Sequence, residues 1–249
     1  MNSIIISFII TSFAGFATML GILPIFFSQR KQNIVIPLSL SFSAGVMLCI
    51  SFLSLIPEAT SLIGETFFAV PTMLFTGIFV VCGILFSSFV DGKIEKKFSS
   101  NILYRVGIIS VIALIFHNIP EGITTFLSSN QDFSLGVTLA IGIALHNIPE
   151  GISIAIPIYY ASCSKKKAVW FTFISGFSEL FGAVLAYLFL APIITSFGLG
   201  AILAIAAGIM VHISVYELIP TAWKYPMHFK ILFSLGIGFL VMYFCQIII

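Results

Sequence analysis

The heptapeptide HNIPEGI stands at residues 117–123 and again at 146–152, in a chain whose surroundings are almost entirely hydrocarbon. Within each copy the His and the Glu are four residues apart, so on a helix they share a face and present an imidazole and a carboxylate in one direction. Outward from these copies, the 249 residues are 59% hydrophobic and only 8% charged, where an ordinary soluble domain is about a quarter charged. Long apolar stretches recur between short polar breaks at 3–27, 35–57, 67–90, 103–127, 133–158, 168–190, 198–220 and 229–249. Each can cross about 30 Å of hydrocarbon as a helix, which takes roughly 20 residues. The reading is an all-α membrane protein with eight transmembrane helices, forming one polytopic domain over residues 1–249. A membrane β-barrel would alternate in polarity over segments of about 10 residues. Stretches such as VMLCISFLSLI, at 46–56, do not.

All 11 basic residues fall in or beside four of the breaks: Arg30 and Lys31; Lys93, Lys96, Lys97 and Arg105; Lys165, Lys166 and Lys167; Lys224 and Lys230. With eight spans these breaks share one face, which the positive-inside rule makes cytoplasmic, leaving both termini extracytoplasmic. The start, MNSIIISFII, has no basic region of the kind that opens a cleaved signal peptide. Cys49, Cys82, Cys163 and Cys245 show no C-x-x-C spacing and read as free thiols. A net charge of +2 without a basic surface domain excludes nucleic acid as a partner.

Glu58, Glu65, Asp91, Glu95 and Asp132 fall at span ends or in loops, whereas Glu121, Glu150, Glu179 and Glu217 lie inside spans. An ionisable group at the bilayer centre costs about 2.5–3.5 kcal/mol on insertion scales. The basic residues cluster at the cytoplasmic ends, which leaves protonation or a bound cation to neutralise these carboxylates. Imidazole nitrogen with carboxylate oxygen is a ligand set for zinc, ferrous iron and manganese, and Asn118 and Asn147 add amide oxygens. The candidate metal ligands are therefore His117, Asn118, Glu121, His146, Asn147, Glu150 and Glu179, with Glu217, near the cytoplasmic end, as the outlying member. His212 reads as a packing residue and His228 as a surface one. Pro120 and Pro149 are expected to kink their helices and to free the carbonyls of Phe116 and Leu145, which must then face protein or a wet cavity. If the linker 128–136 lay at the surface between straight helices, Glu121 would sit about 10 Å nearer the outside than Glu150.

At these residues the chain resembles the ZIP (ZRT/IRT-like) divalent metal transporter family, most of all its bacterial zinc-uptake branch. The resemblance covers the whole chain, including both HNIPEG copies, the Ser-Glu within ISGFSELFGAVLAY (174–187) and ISVYELIP (213–220). It implies a 3+2+3 arrangement, with spans 1–3 and 6–8 related by an inverted repeat. A trace of that repeat is SLIPEA at 54–59 beside ELIPTA at 217–222. The resemblance further implies two adjacent metal positions: one matching His117, Glu121, His146 and Glu150, the other Asn118, Asn147 and Glu179, with Glu121 and Glu150 shared. Ser54 stands where that branch commonly has Glu, and the linker DGKIEKKFSSN (91–101) lacks a His-rich loop.

The expected function is import of divalent cations, zinc first and then ferrous iron, manganese, cobalt or cadmium, by alternating access across a bacterial inner (plasma) membrane. The metal is cargo, so no cofactor is expected and the protein is not an enzyme. Its partners are divalent metal ions and the lipid bilayer, with a homodimer left open. The rival readings are an intramembrane zinc hydrolase, although H-E-x-x-H is absent from the chain, and a metal-independent proton-relay channel.

Overall fold

A computed structural model describes residues 3–27, 31–98, 101–190 and 193–248. The described residues form helices and connecting turns, without a strand. Eight helices are long and apolar enough to cross a membrane: α1 Ser3–Phe26, α2 Gln32–Gly64, α3 Ala69–Phe98, α4 Ile102–Gln131, α5 Phe133–Ser162, α6 Lys165–Leu190, α7 Ser196–Trp223 and α8 His228–Ile248. Several run past the apolar stretches. Glu58 thus belongs to α2, and Asp91 and Glu95 to α3. Arg30 and Ile249 lie outside the described residues; every other basic residue sits at or near the α1–α2, α3–α4, α5–α6 or α7–α8 turn. These turns share one end of the bundle, called the basic end below.

Polar side chains at the turns set the helix boundaries. Asn101, Asp132, Ser164 and Thr195 each accept a hydrogen bond from the backbone N–H three residues on, at 2.9–3.3 Å, and so cap α4, α5, α6 and α7. Asp132 is the whole connection between α4 and α5. Cys163, with φ 52°, ends α5 in the left-handed conformation. Inside the bundle, buried hydroxyls return their protons to the preceding turn, as in Ser51 to Met47 O at 2.8 Å and Ser214 to Met210 O at 2.8 Å.

Glycine decides how close the helices come. In a membrane no hydrophobic drive separates lipid contact from helix contact, so small residues that let backbones touch carry the association. The close approaches occur in matched pairs. A Cβ on Gly45 of α2 would strike Leu235 O of α8, and one on Gly208 of α7 would strike Val80 O of α3. Gly238 would meet Phe42 O, and Gly83 would meet Ile205 O. Around the motifs, Gly122 of α4 would meet Glu179 O of α6, and Gly151 of α5 would meet Thr18 O of α1. Each of these contacts thus has a twin at a constant residue offset for each helix pair.

The helices are least regular away from the motif prolines. α4 and α5 pass through Pro120 and Pro149 as unbroken α-helix. Wide π turns occur instead at Ser51–Leu55 in α2, Ala186–Leu190 in α6 and Ile213–Leu218 in α7. The first and last of these each precede an Ile-Pro, at 56–57 and 219–220.

Candidate metal centre

The one-residue turn at Asp132 fixes the register of the two motifs. Counted from Asp132, Glu121 lies 11 residues before the turn and Glu150 18 residues after it, with His117 at 15 and His146 at 14. The stagger of about 10 Å between the two Glu backbones, at 1.5 Å per residue, therefore remains. The two His lie at intermediate depth, and their side chains bridge it.

The resulting cluster lies in the protein interior. His117 and Glu150 are fully buried, Glu121 is 4% exposed and His146 5%. His146 Nε2 lies 3.0 Å from Glu121 Oε1, and His117 Nε2 lies 3.3 Å from the same oxygen and 3.4 Å from Glu150 Oε1. One ligand atom each from His117, Glu121 and His146 fit within 4.8 Å of one another. Two atoms bound at about 2.05 Å to a tetrahedral centre are about 3.3 Å apart, so these separations fit one shared ion, while the shortest of them is also a hydrogen bond. Both nitrogens of His117, Glu121 Oε2 and both oxygens of Glu150 have no hydrogen-bond partner. Buried polar atoms of this kind are otherwise rare, because each forfeits its hydration without return.

Asn118 and Asn147 are used differently at their two ends. Their amide nitrogens donate to Ser175 O at 3.0 Å and to Ala14 O at 2.9 Å, tying α4 to α6 and α5 to α1 in the same way. Their oxygens are buried and unpartnered. Asn147 also donates to Glu179 Oε2 at 2.8 Å, which leaves Glu179 Oε1 free and brings this fully buried carboxylate beside the motif pair. A second group of oxygens, from Asn118, Asn147 and Glu179, therefore borders the first cluster.

Glu217 stands apart from both groups. It is 2% exposed and accepts from Arg105 Nη2 at 3.2 Å, while Arg105 Nη1 reaches Glu95 at 2.8 Å. The expectation that no basic residue reaches a buried carboxylate thus fails for this one, because Arg105, near the start of α4, turns its side chain inward to α7. His212 hydrogen-bonds Ser87 Oγ at 2.9 Å and stacks on Tyr216, as a packing residue does, and His228 lies exposed against Trp223.

A cavity of about 360 Å³ reaches Glu121 and His146 from the end opposite the basic turns, between α2, α4, α5, α7 and α8. Glu58, Ser54 and Gln246 line it, and Gln246 Nε2 donates to Ser54 Oγ at 2.6 Å. Neither the cavity nor the Ser54–Gln246 pair is announced by a motif; only Ser54 draws the eye, as a hydroxyl in a family carboxylate position.

Eight apolar helices around a buried imidazole–carboxylate cluster that fits a metal ion define a polytopic membrane protein. The chain belongs to the ZIP zinc transporter family, whose model matches residues 92–246. It is 36% identical to the zinc transporter ZupT of Clostridium perfringens, over 97% of this chain and 95% of the relative. It is 39% identical to that of Chlorobium phaeovibrioides, over 97% of each chain, and 36% identical to that of Streptococcus mutans, over 95% of this chain and 94% of the relative.

Proposed function

We propose that this chain imports divalent metal cations, zinc first, through the His117–Glu121–His146–Glu150 centre. The observation that carries the reading is the buried triad whose ligand atoms fit within 4.8 Å of one another, at the floor of a cavity open to one side. Family membership and the names of the relatives support zinc, while N and O ligands alone separate it poorly from iron, manganese, cobalt or cadmium. A second position, formed by Asn118, Asn147 and Glu179 with Glu121 and Glu150 shared, is supported by the free oxygens bordering the first. Three carboxylates facing two dications keep the local charge small. Glu217, paired with Arg105, is no ligand of this centre in the present conformation.

The proposal includes a single membrane domain in a plasma membrane with the basic turns cytoplasmic and both termini outside. It also includes a 3+2+3 arrangement built on an inverted repeat, supported by the matched glycine contacts and the paired π turns. The cavity then faces outward. A dehydrated ion bound at the centre would be released inward when one group of helices moves against the other.

Uptake of radioactive zinc into proteoliposomes tests the reading, with Glu121→Ala and Glu150→Ala as controls. Uptake that is lost in both variants supports it. Hydrolysis of peptide or lipid without metal flux, or proton flux indifferent to zinc, would replace it with one of the rival classes.

A further inference from the structure

Where a Cβ on a glycine would come within 3 Å of another helix, both helices belong to α1, α4, α5 and α6, as at Gly15, Gly122 and Gly151, or both to α2, α3, α7 and α8, as at Gly83, Gly200 and Gly238. Among the described residues no such contact joins the two groups. Backbones that touch leave little freedom for one helix to shift alone, so what crosses the boundary decides how the groups sit against each other. Arg105 crosses it near the basic end, reaching Glu217. Deep inside, Ser43 Oγ of α2 crosses it as well, donating to Pro149 O of α5 at 2.6 Å.

Ser43 departs from what its neighbours do. A buried hydroxyl in a helix ordinarily donates to a carbonyl one turn back in its own chain. Ser41 and Ser51 of α2 do so, to Pro37 O at 2.7 Å and Met47 O at 2.8 Å. Ser43, fully buried, passes over Ser39 O and takes the carbonyl that precedes Glu150 in the second motif. Neither partner depends on the bond. Pro149 O keeps the Ser153 N–H of a continuous α-helix, and the Ser43 hydroxyl has Ser39 O to return to. The bond can therefore break without stranding a buried polar group.

It also has no twin. The offset that relates Gly45 to Gly208 takes Ser43 to Ala206, and the motif copies take Pro149 to Pro120. Ala206 carries no hydroxyl. It and Pro120 line a recess of about 310 Å³ between α3, α4 and α7, and Pro120 O accepts from Thr124 of its own helix at 3.0 Å. In an inverted repeat the two sides exchange roles when the groups move past each other. A bond available on one side alone favours the conformation that forms it.

We propose that Ser43 is a positioning residue that biases this chain toward the conformation with its cavity open opposite the basic turns. Its hydroxyl ties α2 to the backbone of the second motif here and swings to Ser39 O when the groups move. The cargo rests on the transport reading above; the tie does not.

Spin labels at Phe68→Cys, between α2 and α3, and at Gln131→Cys, the last residue of α4, put one probe on each group at the end away from the basic turns; both side chains are exposed. In the full chain in lipid, with its four native cysteines replaced, pulsed electron–electron spectroscopy reads the distances between the probes. Two distances are expected. Ser43→Ala should move their ratio about fivefold toward the one the parent populates less, the effect of one net hydrogen bond. Ser41→Ala removes a buried hydroxyl bonded within the same helix and should leave the ratio unchanged. Ala206→Ser, which offers Pro120 O a hydroxyl on the other side, should move the ratio in the same direction as Ser43→Ala. A ratio unmoved by Ser43→Ala, moved equally by Ser41→Ala, or a single distance in every variant overturns the tie. If Ser43→Ala does not fold, an Ala206→Ser ratio equal to the parent's overturns it. The expected shift in a protein that takes up no zinc in proteoliposomes would uphold the tie and remove the transport reading.

Discussion

Glu121 holds the centre together, since one of its oxygens lies within 3.3 Å of both His117 and His146. Replacing it with Ala removes the shared anion, and zinc uptake should fall by at least about 100-fold, the upper end of what supporting changes around a metal produce. Glu121→Asp, which keeps the charge but withdraws it by one methylene, should retain a measurable part. Initial rates in proteoliposomes check both, with protein amount matched by quantitative blot. A second residue-scale prediction concerns Glu217. Breaking a buried pair by removing one partner costs about 3–5 kcal/mol, because the other charge is stranded, whereas replacing both partners is often nearly neutral. Arg105→Gln should therefore melt well below the parent in detergent, and Arg105→Gln with Glu217→Gln should recover most of the loss. A double variant no more stable than Arg105→Gln would show that the pair is incidental. The buried cluster was legible in the sequence because charge inside an apolar run has few excuses. Arg105 was not, because a cation at the third residue of the fourth apolar stretch reads as a charge at the headgroups, and nothing in the sequence says that its side chain turns inward to Glu217.

At the scale of the helix, the repeated motif is a device for register. Two identical copies on antiparallel helices bring unlike groups within side-chain reach only when the turn between them has the right length, and the single residue Asp132 supplies it. Inserting two Ala residues after Asp132 would shift one copy against the other by about 3 Å at 1.5 Å per residue. That is enough to take His146 away from Glu121, so zinc protection against thermal unfolding should disappear even if the helices still form. The sequence displayed both copies but concealed the register, because hydropathy ended the fourth span four residues before the helix ends. The prolines do not end their helices: α4 and α5 stay α-helical through Pro120 and Pro149, and, two residues on, Gly122 and Gly151 pack closely on α6 and α1. The same contacts make an element-scale prediction. Gly208→Ala and Gly45→Ala add a methyl against a facing carbonyl and should each destabilise by about 1–3 kcal/mol. Gly77→Ala, with nothing within 4 Å of the new methyl, should cost nothing. Melting temperatures of the three variants in one detergent make the comparison.

For the whole molecule, eight spans and one basic end were readable because membrane insertion imposes both on composition directly. The proposed inverted repeat left only a six-residue trace between the second and seventh spans, since what supports it is backbone approach at Gly45, Gly83, Gly208 and Gly238, and a glycine among 19 carries no label saying what it touches. The arrangement bears on energetics in a way a voltage experiment can read. Net inward movement of a dication is favoured by roughly 4.6 kcal/mol per 100 mV of inside-negative potential when no other ion accompanies it. Accumulation at equilibrium should then change about tenfold for every 30 mV, since tenfold corresponds to about 1.36 kcal/mol. Proteoliposomes holding potassium with valinomycin, diluted into graded external potassium, set the potential while a trapped fluorescent indicator reports zinc. The three buried carboxylates at the centre, Glu121, Glu150 and Glu179, bring their own alternative, because an empty site that returns carrying two protons for each dication released moves no net charge. A slope near tenfold per 30 mV assigns the driving force to the potential alone. A flat response, with accumulation following an imposed pH difference instead, would assign it to protons carried back on those carboxylates.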